Sequence, residues 1–415
     1  MELRGGIGLI VCVLLAYGLS ENRRAIALRP VLAGFALQAG LALLLLKLPV
    51  AQLALGWLDR GASAFQAATD AGDSLVFGYL GGAPAPFTST GPGSPYILAF
   101  RGLPLVLTIS AASALLYHWG VLPRVLGALA WGLRRATGIG GALALGAVVH
   151  VFLGMIEAPL VIRPYLARLQ KGELFALMSC GMAGVAGTVM VIYATVMGPV
   201  LGNALGHILT ASVISTPAAL ALAAIMVPFD PDPSAPANLT LPARASGALD
   251  ALVCGAMEGV PVLVGIVVLL IVAVALVTLA NSVLGLLPGF GGATVSLQRV
   301  VALPFRPLLW LMGLSWPQAT IGAGLMATKT VLNEFVAYLQ LAHLPRDELT
   351  PRTSLILTYA LCGFANFGSV GILVGGLGAM LPAERRHEVV SLGVRSLVSG
   401  TLATCMSGAW AGLLT

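Results

Sequence analysis

Gly154-Met-Ile-Glu-Ala-Pro-Leu160 and Val331-Leu-Asn-Glu-Phe-Val-Ala-Tyr338 each set one carboxylate inside an otherwise apolar segment. A carboxylate at the centre of a bilayer costs about 2.5–3.5 kcal/mol on insertion scales, so Glu157 and Glu334 are expected to face a cavity or a partner. The structural alternative is an ion pair with Arg163, Arg168 or Lys329. The segments that follow are alike too. A short charged turn comes next, from Arg163 to Glu173 in the first half and from Arg346 to Arg352 in the second. Each turn leads into an apolar segment with small residues in its middle, Gly181-Met-Ala-Gly-Val-Ala-Gly187 and Gly363-Phe-Ala-Asn-Phe-Gly-Ser369, and then into another apolar helix. The chain therefore carries an internal repeat.

Interrupted hydrophobic segments at matching positions of two halves point to a transporter's midplane binding site. Pro159 and the glycine clusters predict helix breaks. Non-helical backbone is tolerated at membrane depth only where protein or a watery cavity satisfies its polar groups. The freed N–H and C=O groups can meet a polar ligand, and helix N-termini at the breaks add favourable partial charge.

Composition agrees. Of 415 residues, 58% are apolar and 9% charged, against about 25% charged in soluble domains. So little charge cannot cover a globular surface, and the solvent of this chain is lipid. Apolar stretches recur at Ile7–Leu19, Val31–Leu46, Leu103–Tyr117, Val189–Val200, Ile208–Val227 and Val260–Ala280, several of them near the roughly 20 residues that a spanning helix needs. The expectation is an all-α, polytopic integral membrane protein. Arg4 precedes the first stretch, while Arg23, Arg24 and Arg29 follow it. That is not the charge order of a secretory signal, and it places the Asn22–Pro30 loop inside. The net charge of +6 is spread over short loops, which fits that bias and not a nucleic-acid surface. The five cysteines are dispersed without metal-ligand spacing, and no cofactor is expected.

Two amphipathic helices are predicted at the membrane surface. In the first, Leu58, Phe65 and Val76 oppose Asp59, Gln66, Asp70 and Asp73; the second runs from Val121 to Arg135. Pro228–Ser246 reads as a solvent loop between the halves. Four parts follow: residues 1–140, mainly scaffold helices and interfacial helices; 141–227, a first repeat with a hairpin; 228–300, the loop and a scaffold helix; and 301–415, the second repeat.

Asn366 and Ser369 lie one turn apart beside a glycine break, and can donate to and accept from a sugar hydroxyl, or bond between helices. His150 precedes Glu157 by two helical turns, so both could face one cavity if the helix continued that far; its imidazole can change charge near physiological pH, or be satisfied by backbone carbonyls. An intramembrane enzyme using Glu157, Glu334 and His150 as acid–base groups is the alternative from another class. The repeat argues for alternating access instead.

At these residues a family resemblance enters. Gly154-Met-Ile-Glu-Ala-Pro-Leu-Val-Ile-Arg-Pro-Tyr165 resembles the first hairpin of the concentrative nucleoside transporters. Thr328-Lys-Thr-Val-Leu-Asn-Glu-Phe-Val-Ala-Tyr338 resembles their second, and Ala360-Leu-Cys-Gly-Phe-Ala-Asn-Phe-Gly-Ser-Val-Gly371 their broken helix. The likeness covers most of the chain from about residue 95 to 415. It implies inverted repeats, two re-entrant helical hairpins, broken transmembrane helices, a homotrimer in a cell membrane (a bacterial inner membrane), and elevator-like import of a nucleoside with a cation. By position, Glu334, Asn366 and Ser369 match the ribose side, with Asn333 beside them. Phe364 and Val189 match the apolar walls, and Glu157 matches the acidic residue on the base side.

Two departures shape the expectations. Met155 and Ile156 stand where the family usually has Gln-Thr for the base, which predicts a broadened or shifted base preference, or in a divergent member another small polar metabolite. In the cation site, His150 and Gly184 replace the usual Asn and Ser, leaving mostly backbone from Leu153 and Val185. That predicts coupling to protons, through His150 or Glu157, rather than to sodium.

Overall fold

Prolines and polar caps start several helices of this chain, but Pro159, expected to break a helix, lies in the first turn of Glu157–Val161, where its missing N–H costs no bond. The computed structural model describes residues 2–88, 97–155, 157–230, 245–289 and 294–415, and all regular structure among them is helical. Among the described residues six helices are long and apolar enough to cross a membrane: Leu28–Lys47, Leu98–His118, Lys171–Met197, Ala204–Met226, Ala248–Leu284 and Ala383–Leu414. The Ile156 position lies outside the described residues, as does most of the Pro228–Ser246 segment.

The internal repeat is visible element by element. In the first half, helix Gly141–Phe152 ends, and the short helices Glu157–Val161 and Arg163–Leu166 return beside it. Lys171–Ala183 follows, started by a reciprocal Gln170–Glu173 capping box. The chain is non-helical at Gly184–Ala186, resumes as Gly187–Met197, and continues in Ala204–Met226. In the second half, Trp316–Val331 ends at Leu332 and Glu334–His343 packs back on it. Pro351–Leu361 stops before Cys362–Asn366, Phe367–Met380 resumes, and Arg386–Leu414 closes the unit. Asparagine caps restart the chain after two breaks. Asn333 accepts from Val336 N and Asn366 from Ser369 N, each satisfying one of a helix's orphan N–H groups.

These repeats form the buried core. Arg386–Leu414 packs against Lys171–Ala183, Pro351–Leu361 and Ala204–Met226. Small residues allow close approach: a β-carbon on Gly400 would lie 2.5 Å from Met182 Cβ, and one on Gly408 2.8 Å from Ile356 O. By contrast Ala248–Leu284 is exposed along most of its 37 residues and packs chiefly on Leu105–His118. At 1.5 Å per residue it is about 55 Å long, enough to cross the roughly 30 Å hydrocarbon core while strongly tilted. The amphipathic helix Leu297–Leu311 runs across the boundary expected at residue 300.

The first predicted interfacial helix is present but longer, Pro49–Phe77, and turned the other way. Its polar stripe faces protein. Asp73 is 6% exposed, Asp59 accepts from Leu205 N at 3.0 Å, Gln66 bonds Thr195, and Thr69 Oγ1 donates to Thr108 Oγ1 at 2.9 Å. Trp57 is 69% exposed, and Leu58, Phe65 and Val76 are exposed with it. Against lipid the favourable arrangement is the reverse of that in water: polar groups seek partners in the protein and the apolar face turns out.

Charge collects at one end. Glu21 bonds both Lys171 (3.0 Å) and Arg395 (2.7 Å), and Arg385 pairs with Glu388 (2.7 Å) while donating to Ala167 O. Arg23 and Arg24 lie in the same connection as Glu21.

Candidate functional site

The two halves meet at their breaks. Phe364 N donates to Gly184 O at 3.2 Å, so one break satisfies a backbone group of the other. Beside this crossing lies a cavity of about 370 Å³, the size of a small-ligand site. Both hairpin turns, both broken helices and the long helix Ala248–Leu284 line it.

Glu334 is the chemical centre of this cavity. It is buried at the first position of helix Glu334–His343, where the helix dipole favours negative charge. Tyr193 OH donates to its Oε1 at 2.6 Å and Asn366 Nδ2 to its Oε2 at 3.1 Å. Hydrogen bonds to charged groups contribute about 1.5–3 kcal/mol each, enough for the pair to offset the cost of holding a carboxylate at this depth. Asn366 is bifunctional: its Oδ1 accepts from Ser369 N at 2.7 Å while its amide nitrogen reaches Glu334. The N-termini of two half-helices therefore converge on the same wall. Among the described residues no ion pair joins Glu157 or Glu334 to a base; Lys329 instead donates to Ala360 O and Thr404 Oγ1.

Met155, Glu157, Val189, Asn333, Glu334, Phe364, Asn366 and Ser369 all line the cavity. Glu157 is half-buried, and its carboxylate folds back over Gly154, occupying the space that a β-carbon there would need. The opposite wall is apolar: Val262, Ile266 and Leu269 from the long helix, with Ile192.

His150, Leu153, Gly184 and Val185 lie off the cavity lining, around the end of the first hairpin helix. Helix Gly141–Phe152 stops two residues after His150, so the two-turn relation between His150 and Glu157 is not carried by one helix. His150 is 4% exposed, and neither ring nitrogen has a hydrogen-bond partner among the described residues. Gly184 leaves room that Ser212 fills. The Ser212 hydroxyl lies 3.0 Å from where a Gly184 β-carbon would stand; it accepts from Val185 N at 2.9 Å and donates to Val185 O at 3.4 Å.

Sequence reasoning missed Tyr193, Thr188 and the long-helix wall. Tyr193 carried a signal, since it falls four residues after Val189 on the same helix. Nothing in the uniformly apolar Val260–Ala280 stretch distinguished Ile266 or Leu269 from lipid-facing positions.

The chain is similar to known transport proteins along its whole length. Family profiles described as "Na+ dependent nucleoside transporter", N-terminus and C-terminus, match residues 7–80 and 207–412, and one described as "Nucleoside recognition" matches 99–200. An "Uncharacterized transporter" of Haemophilus influenzae is 36% identical over 98% of this chain and 96% of its own length. The "Nucleoside permease NupC" of Helicobacter pylori is 32% identical over 98% of this chain and 96% of its own. A solved structure of CNTnw in an inward-facing substrate-bound state superposes with a TM-score of 0.88 at 33% identity, covering 100% of this chain and 98% of that one. A variant of CNTnw in an outward-facing state reaches the same TM-score.

Proposed function

The chain belongs to the Na+ dependent, concentrative nucleoside transporter family, and we propose that it imports nucleosides by symport with protons rather than sodium. Its family and its structural neighbours are transporters, so the acid–base enzyme alternative falls away. The observation that carries the substrate reading is the Glu334–Asn366 pair at the mouths of two half-helices. A carboxylate oxygen beside an amide and the Ser369 hydroxyl offers neighbouring acceptors and donors, which suits the two adjacent hydroxyls of a ribose. Asn333 holds the turn that presents Glu334. Val189 and Phe364 are apolar walls for the base, Glu157 is its polar contact, and Met155, with Ile156, replaces hydrogen-bonding groups by apolar ones.

The coupling reading rests on the first hairpin. Sodium prefers several hard oxygen ligands. Here His150 supplies nitrogen, Gly184 supplies no side chain, and the Val185 carbonyl is engaged by Ser212. A buried imidazole with both nitrogens unpartnered has a free position for a proton. The moving unit in this reading comprises residues 141–227 and 301–415, with Ala248–Leu284 and the early helices as the scaffold of a homotrimer.

Uptake of tritiated uridine and adenosine into proteoliposomes tests it. An inward pH gradient should drive accumulation that a protonophore collapses. Accumulation driven by an inward sodium gradient at equal pH, unaffected by the protonophore, would overturn proton coupling and leave nucleoside transport intact.

A further inference from the structure

The two repeats match in their breaks and differ in one pair of residues. Counted from the helix ends, Lys329 and His150 hold the same place, each two residues before the end of its hairpin's first helix, Trp316–Val331 or Gly141–Phe152. Each also lies against the end of the broken helix that follows. Lys329 Nζ donates to Ala360 O at 2.9 Å, one residue before the end of Pro351–Leu361. His150 sits beside Gly181, two residues before the end of Lys171–Ala183, where a β-carbon would lie 3.0 Å from its Cε1. A Thr or Ser lies over a glycine of each break: Thr404 sets its Cγ2 methyl 2.8 Å from a β-carbon placed on Gly363, and Ser212 its hydroxyl 3.0 Å from one on Gly184. Lys329 also donates to Thr404 Oγ1 at 3.2 Å.

The second repeat thus holds a complete set of cation, helix-end carbonyl and hydroxyl. In the first repeat the imidazole at the matching place lies against the end of Lys171–Ala183 and has no hydrogen-bond partner among the described residues. Lys329 is 0% exposed and forms no ion pair among the described residues. A buried ammonium is unfavourable unless it satisfies groups that would otherwise be orphaned. The last carbonyls of a helix are such groups, and positive charge is favoured beside them.

We propose that Lys329 is a tethered cation, permanently filling in the second repeat the position that the first repeat leaves to the transported cation. It is a positioning residue. By clamping the end of Trp316–Val331 to the end of Pro351–Leu361, it fixes Asn333 and Glu334, which follow the first helix, against Asn366, which follows the second. The comparison with a transported cation rests on the coupling reading above; the clamp itself does not. The titratable groups facing Lys329 are Glu334 in its own hairpin, Cys362 after Pro351–Leu361 and Cys405 on Arg386–Leu414.

The test is equilibrium binding of tritiated uridine to purified protein without gradients, for Lys329→Gln and Lys329→His. Each is expressed relative to unsubstituted protein at the same pH, at about pH 5.5 and about pH 8, either side of the ordinary imidazole value of about 6.5. Lys329→Gln should elute at the unsubstituted size and bind roughly tenfold or more weakly at both pH values. Lys329→His should be as weak at the higher pH and recover most of its relative affinity at the lower, because protonation restores the charge. Full affinity in the Gln variant overturns the proposal. So does a His variant whose relative affinity is the same at both pH values, or which binds at neither. If the Gln variant does not fold, the His variant decides alone. Failure of proton coupling would appear in the gradient experiment and leave these binding ratios unchanged.

Discussion

Asn366 donates to Glu334 across 3.1 Å, joining two residues 32 positions apart that each open a half-helix. The bond spans the hairpin and the broken helix, so whatever binds Glu334 also reports the relative position of both. Glu334→Gln and Asn366→Ala should each lower nucleoside affinity by about 1.5–3 kcal/mol, roughly one to two decades, with the protein still folded. Isothermal titration with uridine checks this, and near-normal affinity in both variants would remove the ribose assignment.

Tyr193→Phe separates the two supports of the carboxylate. It removes the 2.6 Å donor to Oε1 and leaves Asn366 on Oε2. Losing one charge-assisted bond while Glu334 keeps its own charge should weaken binding by about tenfold, near the lower end of that range. Glu334→Gln should be the more severe of the two in the same titration.

The apolar base end sets the third expectation. Unsubstituted protein should take up uridine and adenosine with similar affinity, since Met155 offers no hydrogen bond to tell them apart. Met155→Gln adds an amide of similar length. It should raise discrimination between the two nucleosides by about 1 kcal/mol, roughly fivefold. Competition uptake measures this, and an unchanged ratio would show that the base does not lie against Met155.

The fourth concerns the coupling frame. His150→Asn should abolish pH-driven accumulation while leaving nucleoside exchange. Adding Gly184→Ser supplies the second oxygen-bearing side chain. The Ser212 hydroxyl stands 3.0 Å from the new β-carbon and has to turn aside, so the triple variant with Ser212→Ala is the cleaner test. Sodium-stimulated uptake should appear in it. A triple variant that still responds only to pH would place the coupling proton elsewhere.

Much of this was legible in the sequence, for one physical reason: charge is rare in a chain built for lipid. Glu157, Glu334 and Asn366 stood out against apolar surroundings, and the repeat showed in the spacing of those interruptions. Tyr193 and Ile266 did not stand out, because an aromatic or aliphatic side chain on an apolar helix looks the same whether it faces ligand, lipid or core. Ser212 was hidden likewise, since a helical serine usually bonds its own preceding turn. Helix Pro49–Phe77 was legible as amphipathic but not in its facing. Periodicity gives two faces and does not say which one meets protein; that is decided by partners such as Leu205 N and Thr108.

The contact between Phe364 N and Gly184 O has a kinetic consequence. A β-carbon at Gly363 would lie 2.9 Å from Met182 O and 3.0 Å from Ala183 O, so the crossing is also tightly packed. Neither break can lengthen into regular helix, or loosen, without stripping a partner from the other. Local opening should therefore be all-or-none across both repeats. The amides of Gly184–Ala186 and Cys362–Asn366 should then exchange with deuterated solvent as one cooperative unit, at a common rate, despite lying in opposite halves of the chain.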